Sequence, residues 1–135
     1  MKRKKWEKFL LIREEIRRKR RSPQELRSYE IGRKRQEKMS SLLQELKDEE
    51  GGIIRGFLQT GDLSFQDVVE GIDFFVVYID GTYKVCPLSV TGKRWLEEHK
   101  SKHPEVPVID ITETDTAVSV KEKIMEAIKI RNKGS

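Results

Sequence analysis

The sequence predicts an α/β domain, a mixed central sheet flanked by helices and preceded by a basic helix. Three observations predict it. Apolar periodicity runs in the order helix, helix, strand, strand, strand, helix, strand, helix. Residues 72–90 hold two β-rich runs joined by Asp80-Gly81, a strong hairpin signal. The chain has 135 residues, the size of one domain. The expected division is a basic N-terminal helix at 1–21 and an α/β domain at 22–135.

Each element follows from local signals. Residues 2–20 carry Trp6, Phe9, Leu10, Ile12 and Ile16, most at three- and four-residue spacing, with Lys, Arg and Glu on the other faces. That stripe must pack on the domain or on a second subunit. Ser22-Pro23-Gln24-Glu25 combines a cap, a first-turn proline and a capping-box glutamate, so a helix is expected over about 23–48. Tyr29, Gly32, Gln36, Met39, Leu43 and Leu46 share one face of it, and Gly51-Gly52 ends it. "IIRGFLQT" reads as a strand.

"IDFFVVYI" and "TYKVCPLSV" form the hairpin, and the apolar density of the first run predicts cover on both faces. Pro87 predicts an edge segment or a bulge. "GKRWLEEHKSKH" reads as a helix stopped near Pro104. "VPVIDI" follows that crossover and is expected to run parallel to a neighbour. The last helix carries Val120, Ile124, Ala127, Ile128 and Ile130, with Ser119 as its expected cap.

Charge divides the chain. Residues 1–21 hold eleven Lys/Arg against three Asp/Glu, whereas the remainder is net acidic. A basic segment of this kind suits an anionic partner, and nucleic acid is the expected one. Candidate phosphate contacts are Lys2, Arg3, Lys4, Lys5, Arg17, Arg18, Lys19, Arg20 and Arg21. A homodimer through the N-terminal helices is the other expected partner. Cys86 is the sole cysteine, which excludes an intramolecular disulfide and fits a reducing cytoplasm. No apolar run approaches a membrane span and no signal peptide opens the chain.

Common catalytic signatures are absent: there is no phosphate-binding loop, no dinucleotide glycine turn and no nucleophile elbow. His99 and His103 have metal-ligand spacing, but they read as surface histidines on a Lys-rich helix. Asp73 is different. A carboxylate at the start of a buried strand is costly unless paired or metal-bound.

The segments "GRKRQEKMSSLL", "GIDFFVVYIDGTYKVCPLSVTG" and "HPEVPVIDI" resemble the restriction-endonuclease-like superfamily, the PD-(D/E)XK nuclease fold. The resemblance spans about residues 30–111. It implies a helix acid, an acid on the first hairpin strand, and a Glu/Gln-x-Lys pair on the next strand, gathered around magnesium. Carried onto this chain, the strand acid is Asp73 and the helix acid is Glu37, with Glu30 as the alternative. The third element departs from the family pattern, because Ser89-Val90-Thr91 stands where the acid and lysine belong. Lys93 or Lys84 would then replace the family lysine. The expectation is a nucleic-acid-binding protein with a nuclease-like fold and a degenerate site. No cofactor is expected, unless the site is intact and holds magnesium on Asp73 and Glu37.

Overall fold

The structure, a computed structural model, describes residues 2–19, 23–61, 64–65 and 69–134. Helix α1 spans Lys2–Lys19 and α2 spans Pro23–Asp48. Strands β1 (Ile54–Gln59), β2 (Phe74–Asp80) and β3 (Thr82–Thr91) follow. A 3-10 turn at Lys93–Trp95 leads into α3 (Leu96–Lys102), then β4 (Val108–Asp110) and α4 (Ala117–Gly134).

The four strands lie in the order β1-β2-β3-β4. The first three form an antiparallel meander. Gly81, with φ +75°, supplies the left-handed residue that the β2–β3 turn needs. β4 returns after α3 and pairs parallel to β3, Ser89 opposite Val108 and Thr91 opposite Asp110. The sheet is therefore mixed, as predicted.

One sheet face carries the core. Phe74, Val76 and Tyr78 from β2 and Cys86 and Leu88 from β3 meet Met39, Leu42, Leu43 and Leu46 from α2. Val120, Ile124, Ala127 and Ile128 of α4 complete the layer. Fully burying a side chain the size of Leu43 or Phe74 contributes about 2–3 kcal/mol, so this two-helix layer carries most of the apolar stabilisation. The other face differs from expectation. Phe75, Val77 and Ile79 are only half-buried, and their cross-strand partners Leu58, Val85 and Tyr83 are exposed. The apolar run of β2 is thus fully covered on one face alone.

Of the two alternatives for Pro87 the edge segment holds and the bulge does not, and the expected cap of α4 is revised. The β2–β3 register runs unbroken from Phe74↔Leu88 to Asp80↔Thr82, so Pro87 makes no bulge against β2. β4 pairs only from Ser89 onward, and Pro87 lies where that edge of β3 is open, which tolerates a missing N–H. The cap of α4 is Thr116, whose Oγ1 accepts from the Ser119 N–H at 3.1 Å. Ser119 lies inside the first turn and donates back to the Thr116 carbonyl at 2.9 Å. The Ser22–Glu25 capping box lies outside the described residues.

Helix α1 touches the body through aromatic rings. Trp6 stacks on Phe65 with centroids 6.0 Å apart, and Phe9 meets the same ring at 5.7 Å. Phe9 is buried, while Trp6, Leu10 and Leu11 remain exposed.

Candidate functional site

The site is built where β2 begins. Gly71 takes φ +69°, which turns the chain toward the strand. Backbone bonds from Asp73 N–H to Leu88 O and from Thr60 N–H to Asp73 O lock the entry, both at 2.9 Å. The Thr60 hydroxyl donates to the Ile72 carbonyl at 2.9 Å. These bonds fix the Asp73 backbone, so its carboxylate points at one place.

That place is filled with donors. Oδ2 accepts from the Val90 N–H at 2.8 Å and from the Ser89 hydroxyl at 3.0 Å. Oδ1 accepts from the Gln36 side-chain amide at 3.3 Å. Gln36 is oriented in turn by Gln59, whose amide donates to its Oε1 at 3.1 Å. Asp73 and Ser89 are the buried polar residues among those described, 6% and 2% exposed. Burial of a carboxylate is tolerated here because its lone pairs are used.

Ser89 continues the chain of contacts outward. Its Oγ lies 2.7 Å from His99 Nε2 on α3. Burial, then the neighbouring His103, then Lys102 hold the His99 pKa below its usual value, so the ring is neutral at pH 7. Ser89 donates its proton to Asp73 Oδ2, so its oxygen is left to accept and His99 Nε2–H donates to it. Nδ1 is then a bare acceptor, buried and without a hydrogen-bond partner among the described residues. The His103 ring is 5.2 Å from His99 and presses on Gly71. A Cβ on Gly71 would come within 2.5 Å of that ring, so the glycine is required by space as well as by φ.

The order Asp–Ser–His is wrong for nucleophilic catalysis. A hydrolytic triad needs the acid on the far nitrogen of the histidine and an accessible hydroxyl. Here Ser89 lies between acid and imidazole, nearly without exposure. Cys86 is no substitute, because burial raises its thiol pKa to about 11. The cluster forms the floor of an open cleft of about 470 Å³, rimmed by Gln36, Trp95, His99, Lys102 and His103.

The residues expected from sequence divide clearly. Asp73 and Ser89 meet. Thr91 stands two residues beyond Ser89, half-buried and in register with Asp110 of β4. Glu37 points elsewhere: its side chain is 60% exposed and pairs with Arg33 at 2.8 Å. Glu30 is exposed. Lys84 sits beside the hairpin turn, 3.5 Å from Asp80, and its alternation with Cys86 and Leu88 puts it on the face opposite Ser89. Lys93 is exposed in the 3-10 turn and lines a separate cleft with Lys34 and Arg35. Among the described residues no group of three or more His, Cys, Asp or Glu is placed to hold a metal ion.

On the basic arm, Lys4, Lys5, Arg17 and Arg18 are exposed, and Arg17 lies 3.4 Å from Glu14. Arg20, Arg21 and the side chains of Lys2, Arg3 and Lys19 lie outside the described residues. No helix among the described residues is long and apolar enough to cross a membrane.

Sequence reasoning missed two members of the site. Gln36 stood on the apolar stripe of α2, and a polar amide on a buried stripe is a signal for a buried partner. His99 was read as a surface residue, but it is half-buried on Ser89. A scan against protein-family models finds no match, and no curated protein or solved structure matches the chain.

Proposed function

We propose that this protein binds nucleic acid on a nuclease-like fold whose cleavage site has been replaced by a hydrogen-bonded cluster. The observation that carries the proposal is the environment of Asp73. It stands at the position the resemblance gives to a metal-binding acid, yet its carboxylate is engaged by Gln36, Ser89 and the Val90 N–H. Glu37 turns away to Arg33, so a second carboxylate is not supplied at Oδ1; a neutral amide is. The α2–β1–β2–β3–α3–β4 order, with β4 parallel to β3, is compatible with that fold. The exposed cations of α1 supply the electrostatic attraction that phosphate backbones need.

Two assays test this. Binding of labelled DNA and RNA, followed by anisotropy at rising salt and without divalent metal, should weaken steeply as counterions compete. Incubation with magnesium or manganese should release no cleavage product. Magnesium-dependent cleavage that Asp73→Ala abolishes would overturn the reading in favour of a working nuclease with a relocated lysine. Salt-independent self-association without nucleic-acid binding would replace it with an interaction module.

A further inference from the structure

We infer that the cleft between α2 and the turn after β3 is the track for a single strand of nucleic acid, with Trp95 as the platform on which an unpaired base stacks. This deepens the nucleic-acid reading above and rests on it.

The cleft has a volume of about 500 Å³ and collects Lys34, Arg35, Lys38, Lys93, Arg94 and Trp95, with Glu113 the carboxylate on its rim. The cations come from two elements that are far apart in sequence, so their convergence is a product of the fold. None of the five is paired with a carboxylate among the described residues. Lys38 donates instead to the Asp115 carbonyl at 2.9 Å. Arg35 Nε donates to the Ile111 carbonyl at 3.2 Å. Carbonyl contacts orient a cation without cancelling its charge. Arg35 is also drawn close to the backbone: a Cβ at Gly92 would stand 2.9 Å from its Nη2. Burial pushes its pKa down, which marks a cation held partly out of water. A phosphate oxygen arriving there meets a preorganised guanidinium.

The aromatic residue selects the kind of nucleic acid. Trp95 is 53% exposed at the end of a 3-10 turn, with the Arg94 guanidinium 5.0 Å from its ring centroid. Its open face lies beside the five cations of the cleft, so a base can stack on it while its phosphates meet those charges. Bases in a duplex are already stacked and offer only their edges, so an unpaired base is the natural cover. Trp95 also lines the neighbouring Asp73 cleft with Lys102. The two clefts therefore meet at one indole, and a strand crossing it passes from Lys34 and Lys93 toward the Asp73 cleft, where Lys102 is paired with Glu98 at 2.8 Å.

The probe is a short labelled oligothymidylate, with the same-length RNA and a same-length duplex as comparisons. Trp6→Phe leaves Trp95 as the sole tryptophan, and titration with the unlabelled strand should quench its fluorescence. Trp95→Ala should weaken strand binding roughly tenfold, the scale of one lost base–aromatic stack, with less effect on the duplex. Lys34→Gln with Lys93→Gln should weaken binding and reduce its salt slope. Both lysines are exposed, so this variant keeps its fold. Inorganic phosphate at millimolar concentration should not quench Trp95; quenching by phosphate alone would reduce the cleft to a small-anion site and overturn the strand. If the wild type binds the strand and both cleft variants bind as well as it does, the track is wrong and the broader reading survives. If Lys4→Gln with Arg17→Gln alone removes binding, the arm is the interface. If the wild type binds no strand of either type, the nucleic-acid reading fails with it.

Discussion

Asp73 and Asp115 are both carboxylates gripped by hydroxyl and backbone N–H donors, and their settings differ. Asp115 lies in the loop before α4. It accepts from the Thr112 N–H at 2.8 Å, the Thr112 hydroxyl at 3.0 Å and the Ser119 hydroxyl at 3.1 Å. Lys123 adds a cation at 3.2 Å and also holds the Asp110 carbonyl. The carboxylate closes a loop on itself: its partners all fall between residues 112 and 123, while the Asp115 carbonyl reaches out to Lys38. The Asp73 cluster gathers Gln36 from α2 and Ser89 and Val90 from β3, and passes through Ser89 to His99 at a cleft. One acid staples a local turn. The other ties α2, β2 and β3 together and ends on a ring that faces solvent on one side. The same donor chemistry thus serves local closure in one place and the floor of a candidate binding cleft in the other.

The sharpest way to break this comparison is to delete each acid. Asp73→Ala strands the buried Ser89 hydroxyl and the Val90 N–H, and it should cost about 3 kcal/mol in urea or guanidinium unfolding. An unchanged midpoint would mean that the cluster is not a structural hub.

Asp115→Ala should cost less, about 1 kcal/mol, because its loop touches solvent and screening weakens the pair with Lys123. The Thr112 N–H, aided by Lys123, holds the Asp115 pKa down to about 2 from 3.8. A depressed carboxylate pKa stabilises above the unfolded value. Wild-type stability should therefore drop as pH falls from about 4 toward 2, and the variant should lose that part of the drop.

The smallest effect belongs to His99. Its depressed pKa works in the same direction as that of Asp115, at higher pH: below the ordinary value near 6.5 the unfolded chain binds the proton more readily. Stability should fall as pH drops from about 7 to about 5. His99→Leu should flatten that part of the curve, with His103 still present in both proteins. A variant with the wild-type slope would place the titration elsewhere.

The sequence by itself determined the elements, because their signals are local. Pro23 marks the start of α2, Asp80-Gly81 marks the hairpin, and apolar period separates helices from strands. It also determined that the first 21 residues are basic and that Asp73 is an unusual strand-start acid. Only the tertiary structure decided which side chains meet that acid. Neighbours on a helix point about 100° apart, so moving one residue from Glu37 to Gln36 exchanges a surface ion pair for a bond to Asp73. Strand alternation likewise sends Ser89 to the acid and leaves Lys84 on the other face. Arg35 and Lys93, 58 positions apart in the chain, meet across one cleft because α2 passes the end of β3. Such contacts depend on how elements pack through space, and no local spacing encodes them.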